Sequence, residues 1–344
     1  MRSLAREFQL GGVTLFKRNI EAPEQVAELS HDLQSLASDL PVWVAVDQEG
    51  GRVARLRTPF TEWPPMATLG RAGDEKLAYR FAAALATELR AVGVTLDYAP
   101  VLDILTNPKN PVIGDRALSE DALAVARLGD AIIRGLQENG IAACGKHFPG
   151  HGDTSQDSHV ALPLVEHPPD RIRRVELVPF RAAIRSDVAF IMTAHILVPS
   201  LDEQRPATLS PAIIRGMLRE ELDFDGVILS DDLDMKALAD TYTAPDAAVQ
   251  AIAAGCDGVL LCRELTKDPA NDANAHARVL EALVHAVEDG RIPYKRAEDA
   301  LARNRKAKER FLGAPVAPGR QSSLRQVLGN DEHRRIAEEM ARYL

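Results

Sequence analysis

The sequence predicts a parallel α/β barrel of the TIM type, (β/α)8, with its first strand missing or irregular. Three observations predict it. Short apolar runs alternate with longer segments of helical period, the pattern of repeated strand–helix units. The runs are rich in valine and isoleucine and hydrophobic almost throughout, which suits strands buried on both faces. Reactive residue types recur at the C-terminal ends of these runs. In a TIM barrel those ends share one face; in an open doubly wound sheet they would gather only near one switch point. No Gly-x-Gly-x-x-Gly follows the first run, which argues against a dinucleotide fold.

The runs, in order, are GGVTLF (11–16), PVWVAV (41–46), GVTLDYAPV (93–101), IAACGKHF (141–148), VAFIMTAHI (188–196), DGVILSD (225–231) and DGVLLC (257–262). That makes seven strand candidates where a complete barrel has eight, and the chain has only ten residues before Gly11. Asp47 follows the second run; Asp97 and Asp103 lie in or just beyond the third. Lys146 and His147 end the fourth, His195 the fifth and Asp231 the sixth. Between the runs, Asp74 opens a helix in which Leu77, Phe81, Leu85 and Leu89 repeat every four residues. Ser119 opens another, with Leu128, Ile132 and Leu136 on one face and Gly140 at its end. Ser210 and Pro211 give a third an N-cap and a proline at the first helical position. The tail beyond about Gly313 holds the loop-like APVAPGRQSS and a last helix, EHRRIAEEMARYL, expected to pack on the outside.

Composition excludes several classes. The chain has 344 residues, 46% hydrophobic and 26% charged, as in ordinary globular proteins. Its formal charge of -9 is spread along the chain, with no basic block for nucleic acid. No stretch suggests a signal peptide or a membrane span. Three cysteines fit neither a disulfide framework nor a zinc spacing, so a cytoplasmic protein with reduced thiols is expected.

The most unusual stretch is KHFPGHGDTSQDSH (146–159), which holds three of the nine histidines on a backbone broken by Pro149, Gly150 and Gly152. Asp157 and His159 could form a carboxylate–imidazole pair that gives and takes a proton near neutral pH. His147, His151, Asp153, Asp157 and His159 could instead ligate zinc, or the loop could bond only to its own backbone. Asp231, in GVILSDDLDM, reads either as a nucleophile or general base or as a helix cap. In DQEGGRVARL (47–56), Asp47 can accept from vicinal hydroxyls and Arg55 can donate to them, or the two can pair with each other. Arg116 precedes a helix in PVIGDRALSED (111–121).

Together, GGVTLFKRN, DQEGGRVARL, NPVIGDRALS, KHFPGHGDTSQDSH, MTAHI and FDGVILSDDLDM resemble glycoside hydrolase family 3, in particular its bacterial single-domain β-N-acetylhexosaminidases. They stand in family order over roughly residues 11–262. The resemblance implies a retaining two-step mechanism with Asp231 as nucleophile, His159 as general acid/base and Asp157 as its partner. Asp47, Arg55, Arg116, Lys146 and His147 would hold the sugar. It implies terminal β-linked N-acetylglucosamine as substrate, typically on cell-wall muropeptides recycled in the cytoplasm, and no metal or organic cofactor. A small carbohydrate is thus the expected partner, with no nucleic acid and no membrane, and a monomer is expected. Residues 1–344 would form one catalytic barrel domain, with 313–344 as an outer extension. Leu118 stands where the family commonly has phenylalanine, and Asp234 where it has a small polar residue. A phosphorylase of the same family, a metal-dependent barrel hydrolase and a non-catalytic sugar-binding protein are the alternatives.

Overall fold

The computed structural model describes residues 7–36, 41–158, 161–262, 274–312 and 321–344. Nine strands occur among them: β1 (Gly12–Leu15), β2 (Trp43–Val46), β3 (Gln48–Gly50), β4 (Val53–Ala54), β5 (Leu96–Asp97), β6 (Ala142–Phe148), β7 (Phe190–Thr193), β8 (Val227–Asp232) and β9 (Gly258–Leu260). Seven form one parallel sheet in the order β1-β2-β5-β6-β7-β8-β9, and these coincide with the seven apolar runs. β3 and β4 make a separate antiparallel ribbon just past β2.

The sheet is buried on both faces because alternate side chains feed two different cores. Val44 and Val46 of β2 belong to the large core under the helices, whereas Trp43 and Ala45 join an inner cluster with Leu96, Cys144, Phe190 and Met192. The sheet is curled. Trp43 on β2 meets Phe190 on β7 edge to face at 5.1 Å, although two strands separate them in the sheet. Phe311 and Leu312, at the end of the helix Tyr294–Phe311, pack into the same inner cluster.

The described residues form seven parallel strands, one for each apolar run, and no complete eight-stranded barrel. Among them no strand bridges β9 to β1, and both edges are short and partly exposed, unlike the fully buried β2 and β7. β5 is also shorter than its run. Pro100 has no amide to donate, and parallel pairing resumes only as a single bridge from Val101 to Lys146.

The helix starts follow local hydrogen bonding. Asp74 accepts from the amides of Lys76 and Leu77 and caps the helix Glu75–Ala91. The next long helix begins later than expected, at Ala122. Asp121 is its cap, accepting from Ala124 at 2.7 Å, while Ser119 accepts from the amide of Asp121 instead. Ser210 accepts from Ile213 at the start of the helix Ala212–Glu221. The helix Asp331–Ala341 packs on the outer helices Ala67–Ala72 and Glu75–Ala91. There the buried Glu88 accepts from the Thr61 amide and hydroxyl, from the Gly329 amide and from His333 Nδ1. No helix among the described residues is long and apolar enough to cross a membrane.

Candidate active site

The C-terminal ends of the strands surround one cavity of about 150 Å³. Thr14 and Phe16 reach it from β1, Asp47 from β2, Tyr98 from β5, and Lys146 and His147 from β6. Met192 comes from β7, Asp231 and Asp232 from β8, and Leu260 and Cys262 from β9. Arg55 and Arg116 enter from the loops. Six sequence-selected residues, Asp47, Arg55, Arg116, Lys146, His147 and Asp231, therefore share one space. Asp157 lies half-buried on the loop that reaches the cavity through Ser158, and its carbonyl accepts from the amide of Ala161. His159 lies outside the described residues.

One wall is an ion-paired frame. Lys146 Nζ donates to Asp47 Oδ1 at 2.8 Å and contacts Glu49 Oε1 at 2.7 Å. Arg116 holds Glu49 bidentately through Nε at 2.9 Å and Nη2 at 2.8 Å. Arg55 reaches the other oxygen of Asp47 at 3.3 Å. Burial alone would push the Glu49 carboxyl up, but Arg116 and Lys146 hold it well below the usual carboxylate range. Burial also disfavours the Lys146 charge, and Asp47 and Glu49 more than reverse that. Glu49, Arg116 and Lys146 therefore stay charged across the neutral range.

The base of the loop is organised by Asp103, which is fully buried. It accepts from the amides of His147 and His151, the latter at 2.6 Å, and from His147 Nδ1 at 2.6 Å. This leaves Nε2 of His147 as the ring nitrogen available to a ligand. Burial raises the Asp103 carboxyl, and His147 and His151 outweigh it. His151 bonds within the loop, to Thr154 Oγ1 at 2.7 Å and Ser158 Oγ at 3.3 Å, and burial pulls its imidazole down to about 4. Asp153 accepts from Thr106 Oγ1 at 2.9 Å and pairs with His167 at 2.8 Å. The Ser158 carbonyl accepts from the amide of Ala237, which ties the loop to the segment after β8.

The loop base also needs Gly152. A Cβ there would lie 1.7 Å from the carbonyl oxygen of Ile104. Gly152→Ala is expected to destabilise the protein by about 1–3 kcal/mol. Urea unfolding should show a lower midpoint at unchanged slope, and an unchanged midpoint would contradict this packing.

Asp231 lines the same cavity. Burial would raise its carboxyl, but His195, His147, the Asp232 amide and Lys146 lower it below the ordinary value. Asp231 caps no helix, since the helix Lys236–Ala239 starts from Met235 without a side-chain cap. Asp232 shapes the turn instead, accepting from Cys262 and Asp234, and burial pushes its carboxyl up to about 7. Among the described residues no cluster of histidine, cysteine or acidic side chains has the arrangement to hold a metal ion.

Sequence reasoning gave no role to Glu49, although it stands two residues after Asp47, and noted Asp103 only as a strand-end carboxylate. Position at a strand end and proximity to a selected residue were the available signals.

A curled parallel sheet whose strand ends gather acidic, basic and imidazole groups around one cavity is the architecture of an α/β enzyme. The chain belongs to glycosyl hydrolase family 3: residues 1–306 match the family's N-terminal domain. It is 44% identical over 267 residues to a β-hexosaminidase of Pseudomonas aeruginosa (strain LESB58), covering 76% of this chain and 78% of the relative. It is 35% identical to β-hexosaminidase A of Pseudoalteromonas piscicida, covering 99% of this chain and 60% of the relative. A family 3 β-N-acetylglucosaminidase from Paenibacillus sp. str. FPU-7 superposes with a TM-score of 0.90 at 42% identity, covering 99% of this chain and 64% of that one. The Neisseria gonorrhoeae NagZ, solved in complex with N-trifluoroacetyl-D-glucosamine, gives 0.79 at 32% identity, covering 99% and 93%. The chain thus spans under two thirds of the Pseudoalteromonas and Paenibacillus proteins.

Proposed function

We propose that the protein is a retaining β-N-acetylhexosaminidase that removes terminal β-linked N-acetylglucosamine. The observation that carries this reading is Asp231, a carboxylate that caps no helix, is favoured in its ionised form and shares a cavity with Asp47, Lys146 and Arg116. The names of the family relatives supply the sugar. In the proposed mechanism an Asp231 oxygen bonds to the anomeric carbon as the bond to the aglycone oxygen breaks. His159 donates its proton to that oxygen. Water then attacks the same carbon, His159 takes its proton, and Asp231 leaves. Asp157 favours the imidazolium needed for the first step. Asp47, Arg55, Arg116, Lys146 and His147 hold the sugar hydroxyls and acetamido group.

The natural substrate is read as a muropeptide, acted on in the cytoplasm, on the strength of the family resemblance. Residues 1–344 are read as one catalytic domain with 313–344 on its outside. The sheet is read as a (β/α)8-type barrel in which none of the described residues fills the strand position between β9 and β1. The Arg18 guanidinium, which donates to the Cys262 carbonyl at 2.8 Å, spans that seam.

The purified chain is expected to release nitrophenol from its β-N-acetylglucosaminide and not from its β-glucoside, yielding the free sugar. A sugar 1-phosphate formed on adding phosphate would replace hydrolysis by phosphorolysis. His159→Ala should lose about 100-fold or more in kcat/KM on poor leaving groups and much less on activated phenols. Equal losses on both would remove His159 from the acid role.

A further inference from the structure

We propose that His195 is a positioning residue held as an imidazolium, whose two N–H groups fix the Asp232 carbonyl and the Thr208 hydroxyl and whose charge keeps Asp231 anionic. This rests on Asp231 being the nucleophile. His195 follows β7, is fully buried, and is not among the residues lining the cavity.

Counting protons leads to this charge state. His195 Nε2 stands 2.9 Å from the backbone carbonyl of Asp232. A carbonyl only accepts, so Nε2 carries a proton. Nδ1 stands 2.8 Å from Thr208 Oγ1. That hydroxyl has one proton and two further neighbours, the Ala194 carbonyl at 3.0 Å and Thr193 Oγ1 at 2.8 Å. The Ala194 carbonyl also only accepts, so the Thr208 proton goes there. The two lone pairs of Thr208 then accept from the Thr193 hydroxyl and from Nδ1–H. Every one of these contacts is satisfied by a doubly protonated ring. A neutral ring either faces a Thr208 lone pair with its own or takes the proton from Ala194, and in a dry interior each such loss is costly.

A buried cation needs an anion close by, and the half-buried Asp231 supplies one. Among the described residues, the titratable groups that face Asp231 include His195 after β7, Cys144, Lys146 and His147 of β6, His151 at the loop base and Asp232 on its own strand. His195 is the strongest of those favouring the carboxylate. The same ring fixes the backbone of the next residue, so charge and position at the end of β8 are set by one side chain.

Two experiments test this. In protein labelled with ¹⁵N-histidine, long-range ¹H–¹⁵N spectra should show both His195 ring nitrogens protonated from pH 6 to 9. The signal is assigned by its loss in His195→Gln. A single neutral tautomer at pH 8 overturns the proposal, whether or not the enzyme turns over. In His195→Gln, the acid limb of kcat/KM should move up by about 1–3 pH units. The sign follows because removing the cation raises the Asp231 carboxyl, so the nucleophile protonates at higher pH. An unmoved acid limb in a folded variant overturns the proposal. Full activity of Asp231→Ala would overturn the functional reading instead, and the spectra would still decide the charge of His195.

Discussion

Asp231→Ala is expected to lower nitrophenol release from the β-N-acetylglucosaminide by on the order of 10⁴-fold or more. That corresponds to about 5 kcal/mol of lost transition-state stabilisation. The size follows from the role: without the carboxylate no covalent intermediate forms, and the remaining groups can only bind and polarise the sugar. Alanine also opens a space beside His195 and Lys146, two positively charged neighbours in the proposed mechanism. A small anion such as azide should enter it and restore part of the rate. Because the anion attacks directly, the product should be the α-glycosyl azide, which NMR distinguishes from the β-anomer. Near-normal turnover without azide would refute the assignment of Asp231.

Glu49→Ala is expected to be the most damaging change to the fold near the site. It leaves Arg116 and Lys146 facing each other with the one anion they both pair with gone. Breaking a buried ion pair in this way costs about 3–5 kcal/mol. The urea midpoint should fall accordingly, and binding of N-acetylglucosamine should weaken with it, because Lys146 keeps only Asp47 as its anchor. Glu49→Gln should recover part of the stability through hydrogen bonds but not the charge. The pH dependence has a definite sign. Glu49 has a folded-state pKa below its unfolded value, so its stabilisation is complete above the ordinary carboxylate range. It declines as pH falls below that range toward the depressed folded value. Wild-type stability should therefore fall more steeply on acidification than that of Glu49→Gln, as denaturation midpoints across pH 3–7 will show.

The strands were legible because burial on both faces leaves a local mark: Val44 and Val46 serve one core, Trp43 and Ala45 the other, and all four must be apolar. The strand-end residues were legible for the same reason, since a charge such as Lys146 or Asp231 interrupts an apolar run visibly. Glu49 was not, because its meaning lies in partners far along the chain, Arg116 67 positions away and Lys146 beyond it. Asp103 likewise organises the loop base through residues 44 and 48 positions on. The helix start at Ala122 was missed because both Ser119 and Asp121 can cap, and only the fold decides which side chain reaches an open amide. No run in the sequence marks an eighth strand, and the described residues form seven.

Glu88 has a consequence for how the protein is made. Its carboxylate gathers Thr61 from upstream but also Gly329 and His333, which lie 241 and 245 residues further on. A ribosome emits Glu88 long before those two partners exist. During that interval the outer helix carries a carboxylate that cannot be sealed without cost. Synthesis at about 5–20 residues per second keeps it waiting for roughly ten seconds or more. The nascent chain is therefore expected to keep this part of its shell open until the helix Asp331–Ala341 arrives, and chaperones that recognise unfinished surface have that long to act.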